Sequence, residues 1–317
     1  MLRVRICRDL DEGQQLWEQY WPREQIFDLW AVRTCFQKAF NHSPYFLVAD
    51  RNGRVEGLLA LSWIEDERCF GHFPGETWQG KTWLEQNRIL AQDASAFRAL
   101  FDQIPEAVHI RYLTRESASL NGESPEVDET GYLFAPKQYD YSYETYWQRF
   151  SGKSRKKLRR ELLRLEALGL SYRHDCLPDI DRMFQLNLET FGEDSYFSDA
   201  RFRESFENLI AWLQANDMLR VTSVVLGGKV AAVDVGVVWN SSFTVLAGGT
   251  HADFPGVAKL INFHHLQWAC LQRLRSVDFL CGDFQWKERF HLTPRPLYKI
   301  QARAIHVRTE RASICAA

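Results

Sequence analysis

The sequence predicts an α/β protein with mixed sheets, built from two copies of one strand–helix unit. Two observations predict this. Apolar runs of strand length flank tight turns at Arg51-Asn52-Gly53-Arg54 and at Gly227-Gly228, and Asn-Gly between apolar runs is a strong hairpin signal. Each pair is followed by a further short apolar strand, a glycine-bearing loop and a helical stretch. Gly53-Arg54-Val55-Glu56-Gly57 and Gly228-Lys229-Val230-Ala231-Ala232 thus occupy equivalent places. Duplication of one unit accounts for 317 residues without a long linker; the competing reading is that any two hairpins look alike.

The elements follow in order. Residues 2–8 alternate apolar and polar and predict a first strand. Residues 9–40, rich in Trp, Phe, Leu and Gln, predict one or two helices. The first hairpin spans 45–63, and 69–73 predicts a third strand. A loop with Pro74, Gly75 and Gly80 leads to a helix from Ala94. Residues 117–131 carry Asn, Gly, Ser, Pro and acids and predict a loop or junction. A helix over 154–168 stops at Gly169, with Leu158, Leu162 and Leu165 as its apolar face. Helices over 179–191 and 199–216 precede the second hairpin, 219–226 with 229–239. A strand over 242–249, a helix over 256–275 and a last strand over 277–281 complete the reading. The expected division is 1–135 and 136–317.

Composition narrows the function classes. Hydrophobic residues at 45% and charged residues at 25% describe a globular protein. A net charge of −2 gives no global case for DNA binding, so any anion site is local. The seven Cys are an odd number without a C-x-x-C pair, which argues against disulfides or a zinc cluster. His264 and His265 lack the H-E-x-x-H spacing, so no metal is expected. Residues 1–10 lack a signal-peptide core, and the longest apolar stretch, 221–239, is broken by Gly227-Gly228-Lys229 and Asp234. The expectation is a cytoplasmic protein without a transmembrane segment, free or at the inner membrane face.

The chemistry concentrates between residues 245 and 259. A strand with Gly248-Gly249 runs through a loop holding Phe254-Pro255-Gly256 into a helix beginning Val257-Ala258-Lys259. Unpaired N–H groups and the positive dipole end at a helix start hold a pyrophosphate. Gly256 and Ala258 allow close approach, and Lys259 adds charge. The glycine pair suggests a bulge whose freed N–H groups bind a thioester carbonyl. An ordinary strand–helix crossover is the alternative.

Two stretches resemble the CelD/BcsL-type acetyltransferases of the GNAT superfamily, relatives of the FemAB peptidoglycan enzymes. One runs from Phe150-Ser151-Gly152-Lys153-Ser154-Arg155-Lys156-Lys157-Leu158-Arg159-Arg160 to Leu165-Glu166-Ala167-Leu168-Gly169. The other is Asp278-Phe279-Leu280-Cys281-Gly282-Asp283-Phe284-Gln285-Trp286-Lys287-Glu288-Arg289-Phe290, with Trp286 where the family has Tyr. Phe254-Pro255-Gly256 is similar to the family's S-P-G before the CoA-binding helix. The resemblance implies tandem GNAT-like domains: an acceptor-side first half, an acyl-CoA-binding second half, and direct transfer from an acyl thioester to an amine or hydroxyl. No metal is implied.

Individual residues are then weighed. Asp234 lies inside an apolar strand, where a charge is costly unless paired. It fits a general base or acceptor-orienting group, or a strand residue facing a wet cleft. Asp283 and Lys287 suit an ion pair beside the thioester, or a bridge closing the C-terminus. Gly248, Gly249, Phe254, Gly256, Val257, Ala258 and Lys259 form the expected acyl-CoA site. Glu76, Trp78, Lys81, Trp83, Glu85 and Asn87 combine rings with carboxylates and amides and suit a polar acceptor such as a small-molecule or lipid-linked sugar; the alternative is a packing loop. Residues 153–164 hold seven Lys or Arg against one Glu, with Lys153, Lys157, Arg160 and Arg164 on one face. That face is either solvated or meets phosphates. The leading expectation is acyl-CoA-dependent acylation of a sugar or amine precursor of cell envelope or exopolysaccharide. The rivals are a Fem-like transferase using aminoacyl-tRNA, weakened by the absence of that family's coiled-coil insertion, and a catalytically silent binding module.

Overall fold

The computed structural model describes residues 2–122, 124–282 and 286–302. The first half runs β1 (Leu2–Cys7), α1 (Leu10–Tyr20), α2 (Trp30–Phe40), β2 (Ser43–Arg51), β3 (Arg54–Ile64), β4 (Cys69–His72), β5 (Leu90–Ala91), α3 (Ala94–Phe101), β6 (Val108–Leu113), α4 (Arg115–Ala118) and β7 (Glu126–Phe134). The second runs α5 (Tyr143–Trp147), α6 (Gly152–Glu166), β8 (Leu170–His174), α7 (Pro178–Phe191), α8 (Ala200–Ala215), β9 (Leu219–Leu226), β10 (Lys229–Trp239), β11 (Ser242–Thr250), α9 (Val257–Leu271), β12 (Ser276–Asp278), α10 (Trp286–Arg289) and β13 (Thr293–Ala302).

All strands join one 13-stranded mixed sheet, in the order β1-β2-β3-β4-β6-β13-β7-β12-β11-β10-β9-β8, with β5 against β3. The expected repeat is visible in strand direction. β2, β3 and β4 are antiparallel and β4 then pairs parallel with β6. In the same way β9, β10 and β11 are antiparallel and β11 pairs parallel with β12.

The halves exchange strands at the centre. β7, from the first half, pairs with β12 of the second, while β13 inserts between β6 and β7. Three central strands, β6, β7 and β13, were not foreseen. β7 overlaps the acid- and glycine-rich stretch expected to be a loop. β13 carries Pro294 and Pro296, which cannot donate to a ladder. Both prolines fall where β13 pairs with β7 alone, since β6 joins only from Tyr298 onward.

Helices cover both faces. Val233, Val235 and Val237 of β10 pack with α2, α7 and α8 in one core that bridges the halves. On the opposite face Phe243, Val277 and Phe134 pack with α5 and α9. β2 buries Phe46 and Val48 against α1, and Leu47 and Ala49 against α3, so it reads as a continuous apolar run, as a strand covered on both faces does. Among the described residues no helix is long and apolar enough to cross a membrane, and no group of His, Cys, Asp or Glu is arranged to hold a metal.

Candidate functional site

The parallel pairing of β11 with β12 covers only Ser242–Thr244 against Ser276–Asp278. Beyond it the strands part, because Phe279 N–H turns away to the Tyr132 carbonyl at 3.0 Å. Among the described residues no strand pairs with the rest of β11 on that side. The expected bulge exists, but at Leu246, where the register slips between Val235/Ala247 and Gly236/Val245.

The glycines serve close packing instead. A Cβ on Gly248 would meet Asp234 Oδ1 at 2.2 Å, and one on Gly249 would meet the Met183 carbonyl of α7 at 2.6 Å. Asp234 lies under α9, with Oδ2 at 2.9 Å from His265 Nε2. The His265 side chain is fully buried and that of Asp234 is 10% exposed, so the pair is a sealed sheet-to-helix contact.

α9 begins at Gly256, whose φ of +93° suits glycine. Its first turn is drawn tight by Val257 N–H to Phe254 O and Lys259 N–H to Gly256 O, each at 3.0 Å. Lys259 Nζ is 2.5 Å from Glu161 of α6. The packing of Leu162 and Leu165 against Val257, Leu260 and Ile261 brings the end of α6 beside that start. Lys153, Lys157, Arg160 and Arg164 are exposed along it.

Where β11 and β12 part, a charged junction joins the halves. Asp278, at the end of β12, accepts from Arg295 Nη1 at 2.6 Å, Arg295 Nη2 at 3.2 Å, Gln86 Nε2 at 3.2 Å and Leu280 N–H at 2.9 Å. Glu85, in the loop after Gly80, accepts from Cys281 N–H at 2.6 Å and more loosely from Arg295 Nη2 at 3.4 Å. Lys287 donates to the Phe279, Leu280 and Cys281 carbonyls at 3.0, 2.8 and 2.9 Å and so fixes the turn that presents Cys281. Burial holds its ammonium below the usual lysine range. Asp283 lies outside the described residues.

Glu85 is 4% exposed. Burial pushes its carboxyl up to about 7; Arg295 opposes the shift and Asp278 adds to it. Burial wins because the guanidinium sits closer to Asp278 than to Glu85. A carboxyl poised near neutrality exchanges protons at working pH. Tyr112, Tyr196 and Cys281 lie within reach of its charge, and Glu129 accepts from the Tyr112 hydroxyl at 3.3 Å. Glu129, Tyr196 and Cys281 are half-buried around the junction.

Of the other first-half residues, Trp78 faces Tyr196 at 5.4 Å and carries Lys81 Nζ 5.2 Å over its ring. Trp83 is packed among Phe27, Phe36 and Phe206. Glu76 accepts from the Thr82 hydroxyl and from Leu84 N–H at 2.8 Å. Asn87 accepts from Arg33 at 2.8 Å and donates to the Arg111 carbonyl at 2.8 Å. These last three are held by the protein itself.

Residues 152–288 match the family described as the acetyltransferase (GNAT) domain. The chain carries a GNAT acyltransferase domain. No curated protein matches its sequence. Among solved structures, FemX is 10% identical, with a TM-score of 0.59 over 94% of this chain and 97% of that one. A conserved protein of unknown function from Bacteroides thetaiotaomicron is 12% identical, with a TM-score of 0.58 over 96% and 100%. L-PGS from Bacillus licheniformis is 11% identical, with a TM-score of 0.50 over 86% and 91%. At these identities the likeness is one of fold.

Arg295 and Asp278 carry no sequence signal that marks them as site residues. Arg295 reaches the junction because Gly131 lies opposite it in β7; a Cβ there would meet Nη2 at 2.8 Å. Gly131→Ala is expected to shift the guanidinium off its two buried carboxylates, lowering kcat about 10²-fold and the melting temperature by a few degrees, less than the loss of the whole cation. Steady-state rates and a thermal melt on the same sample check this.

Proposed function

We propose that the protein transfers an acyl group from acyl-CoA to an amine or hydroxyl of a polar acceptor, a sugar or amine precursor of envelope or exopolysaccharide. The observation that carries the reading is Glu85: a buried carboxyl titrating near 7, contributed by the first half, at the parting of β11 and β12 in the GNAT half. The acyl-CoA pyrophosphate sits at the α9 start, against Gly256, Val257, Ala258 and Lys259, with Phe254 beside it. The thioester lies along the edge of β11 beyond its pairing with β12, its carbonyl toward the backbone around Leu246.

Glu85 takes the proton as the acceptor nitrogen or oxygen bonds to the thioester carbon. The tetrahedral intermediate then collapses, the C–S bond breaks, and the proton held by Glu85 returns to the departing thiolate. Arg295 and Asp278 position Glu85, and Lys287 holds the turn beneath it. Asp234 acts as a structural partner of His265. Trp78 and Lys81 lie at the acceptor entrance.

Calorimetric titration with acetyl-CoA tests the donor. Micromolar binding is expected, with an at least tenfold loss in Gly256→Glu, whose carboxylate repels the phosphates. Unchanged binding in the variant would move the donor elsewhere. A second reading, an aminoacyl-tRNA donor, is favoured by the exposed basic face of α6. It takes over if acetyl-CoA and longer acyl-CoAs give no heat.

A further inference from the structure

A second cleft lies between the halves, lined by residues that take no part in the junction described above. Its volume is about 430 Å³, within the range of roughly 300–1,000 Å³ typical of small-ligand sites. The first half supplies Trp21 and Trp30 to its walls, and the second half supplies Trp212 from the end of α8 and Trp239 from the end of β10. Trp21 and Trp30 are buried, while Trp212 and Trp239 are half-exposed.

We infer that this cleft binds a neutral pyranose, one or two sugar rings of a saccharide. Trp212 and Trp239 pack against the core that bridges the halves and keep part of their indole surface on the cleft wall. The face of a π-system is negative and its best neutral partners are flat, weakly positive C–H surfaces. A pyranose ring offers such a surface together with hydroxyls at its edge.

The polar groups fit the edge. Trp21 Nε1 is buried with no hydrogen-bond partner, an unmet donor that a hydroxyl satisfies and an alkyl chain does not. Glu18 and Asn216, both exposed, stand at the rim. Arg23 balances Glu18 there, so the rim favours no net ligand charge. Asp28, which also lines the cleft, is occupied by Arg88 at 2.9 Å.

The lip is built in advance. Trp239 Nε1 donates to the Arg23 carbonyl at 3.3 Å, and Asn240 Nδ2 donates to the same oxygen at 2.6 Å. Both bonds tie the Trp239–Asn240 corner of the second half to the first half at Arg23. This site stands independently of the acyl-CoA reading, because it is read by binding alone.

Saturation-transfer-difference NMR on the full chain, with cellobiose and di-N-acetylchitobiose as probes and no donor present, tests the inference. The sugar-ring protons of at least one disaccharide receive saturation. The dissociation constant rises about tenfold in Trp212→Leu and in Trp239→Leu, which keep apolar bulk and remove the indole. Trp212 is half-exposed on a helix, so its variant remains informative if Trp239→Leu lowers stability. No saturation of either disaccharide at millimolar concentration, or undiminished binding in folded Trp212→Leu, overturns the proposal. So does binding of indole or an alkylamine in the cleft with neither sugar competing.

Discussion

Glu85→Gln abolishes most turnover: kcat falls by about 10²–10⁴, the range a positioned general base contributes. The wild-type pH–rate profile rises through an acid limb near 7, where the Glu85 carboxyl titrates, and the variant's residual activity lacks that limb. Stability moves in the other direction. The folded carboxyl titrates at about 7 against an ordinary 4.5. Its stabilising share is therefore complete below 4.5 and is lost as pH rises through 7. Above that pH the ionised group costs up to about 3 kcal/mol. A neutral amide escapes this cost, so Glu85→Gln melts higher than wild type in alkaline buffer and close to it below pH 4.5. Initial rates and melting curves across pH check both halves of the prediction.

Arg295→Met has the largest expected effect on folding. The guanidinium sits between Asp278 and Glu85, whose side chains are 4% and 5% exposed. Removing it strands two buried acids, which costs about 3–5 kcal/mol. The melting temperature is expected to drop by about 10 °C at neutral pH, and less in acid, where Glu85 takes up its proton. The acid limb of any residual activity moves to higher pH, because the cation that holds the Glu85 carboxyl down is gone. A melting temperature within a degree or two of wild type would show that the pair does not need its cation.

The parts of this molecule that were legible in sequence were governed by local rules. Asn52-Gly53 and Gly227-Gly228 marked both hairpins, and Gly169 marked the end of α6 within a few residues. The family likeness rested on 150–169 and 278–290, and the GNAT match at 152–288 covers nearly the same ground. The sheet centre was not legible. β13 reads as non-strand because of Pro294 and Pro296, and its place beside β7 is a long-range exchange that no spacing announces.

The junction was hidden for the same reason. Glu85 stands in a loop rich in rings and carboxylates, but its titration is raised by burial and by Asp278 and held back by Arg295 and Cys281, partners 210 and 196 residues later in the chain. Asp234 drew attention as a charge in an apolar strand. Its burial is answered by His265 on α9, a residue weighed from sequence only as a metal ligand. Gly248 and Gly249 suggested a bulge, yet they answer to the Asp234 side chain and to α7, and the bulge falls two residues earlier. In each case a tertiary neighbour decided the meaning of a residue whose local signal had been read.

A crystal structure with acetyl-CoA bound tests the central claim most directly. The account predicts the pyrophosphate at the Gly256–Lys259 turn, the pantetheine chain along the edge of β11 beyond its pairing with β12, and the thioester carbonyl in hydrogen-bond reach of the Leu246 backbone, facing Glu85. Acetyl-CoA bound away from the parting of β11 and β12, or with its thioester remote from Glu85, would contradict it.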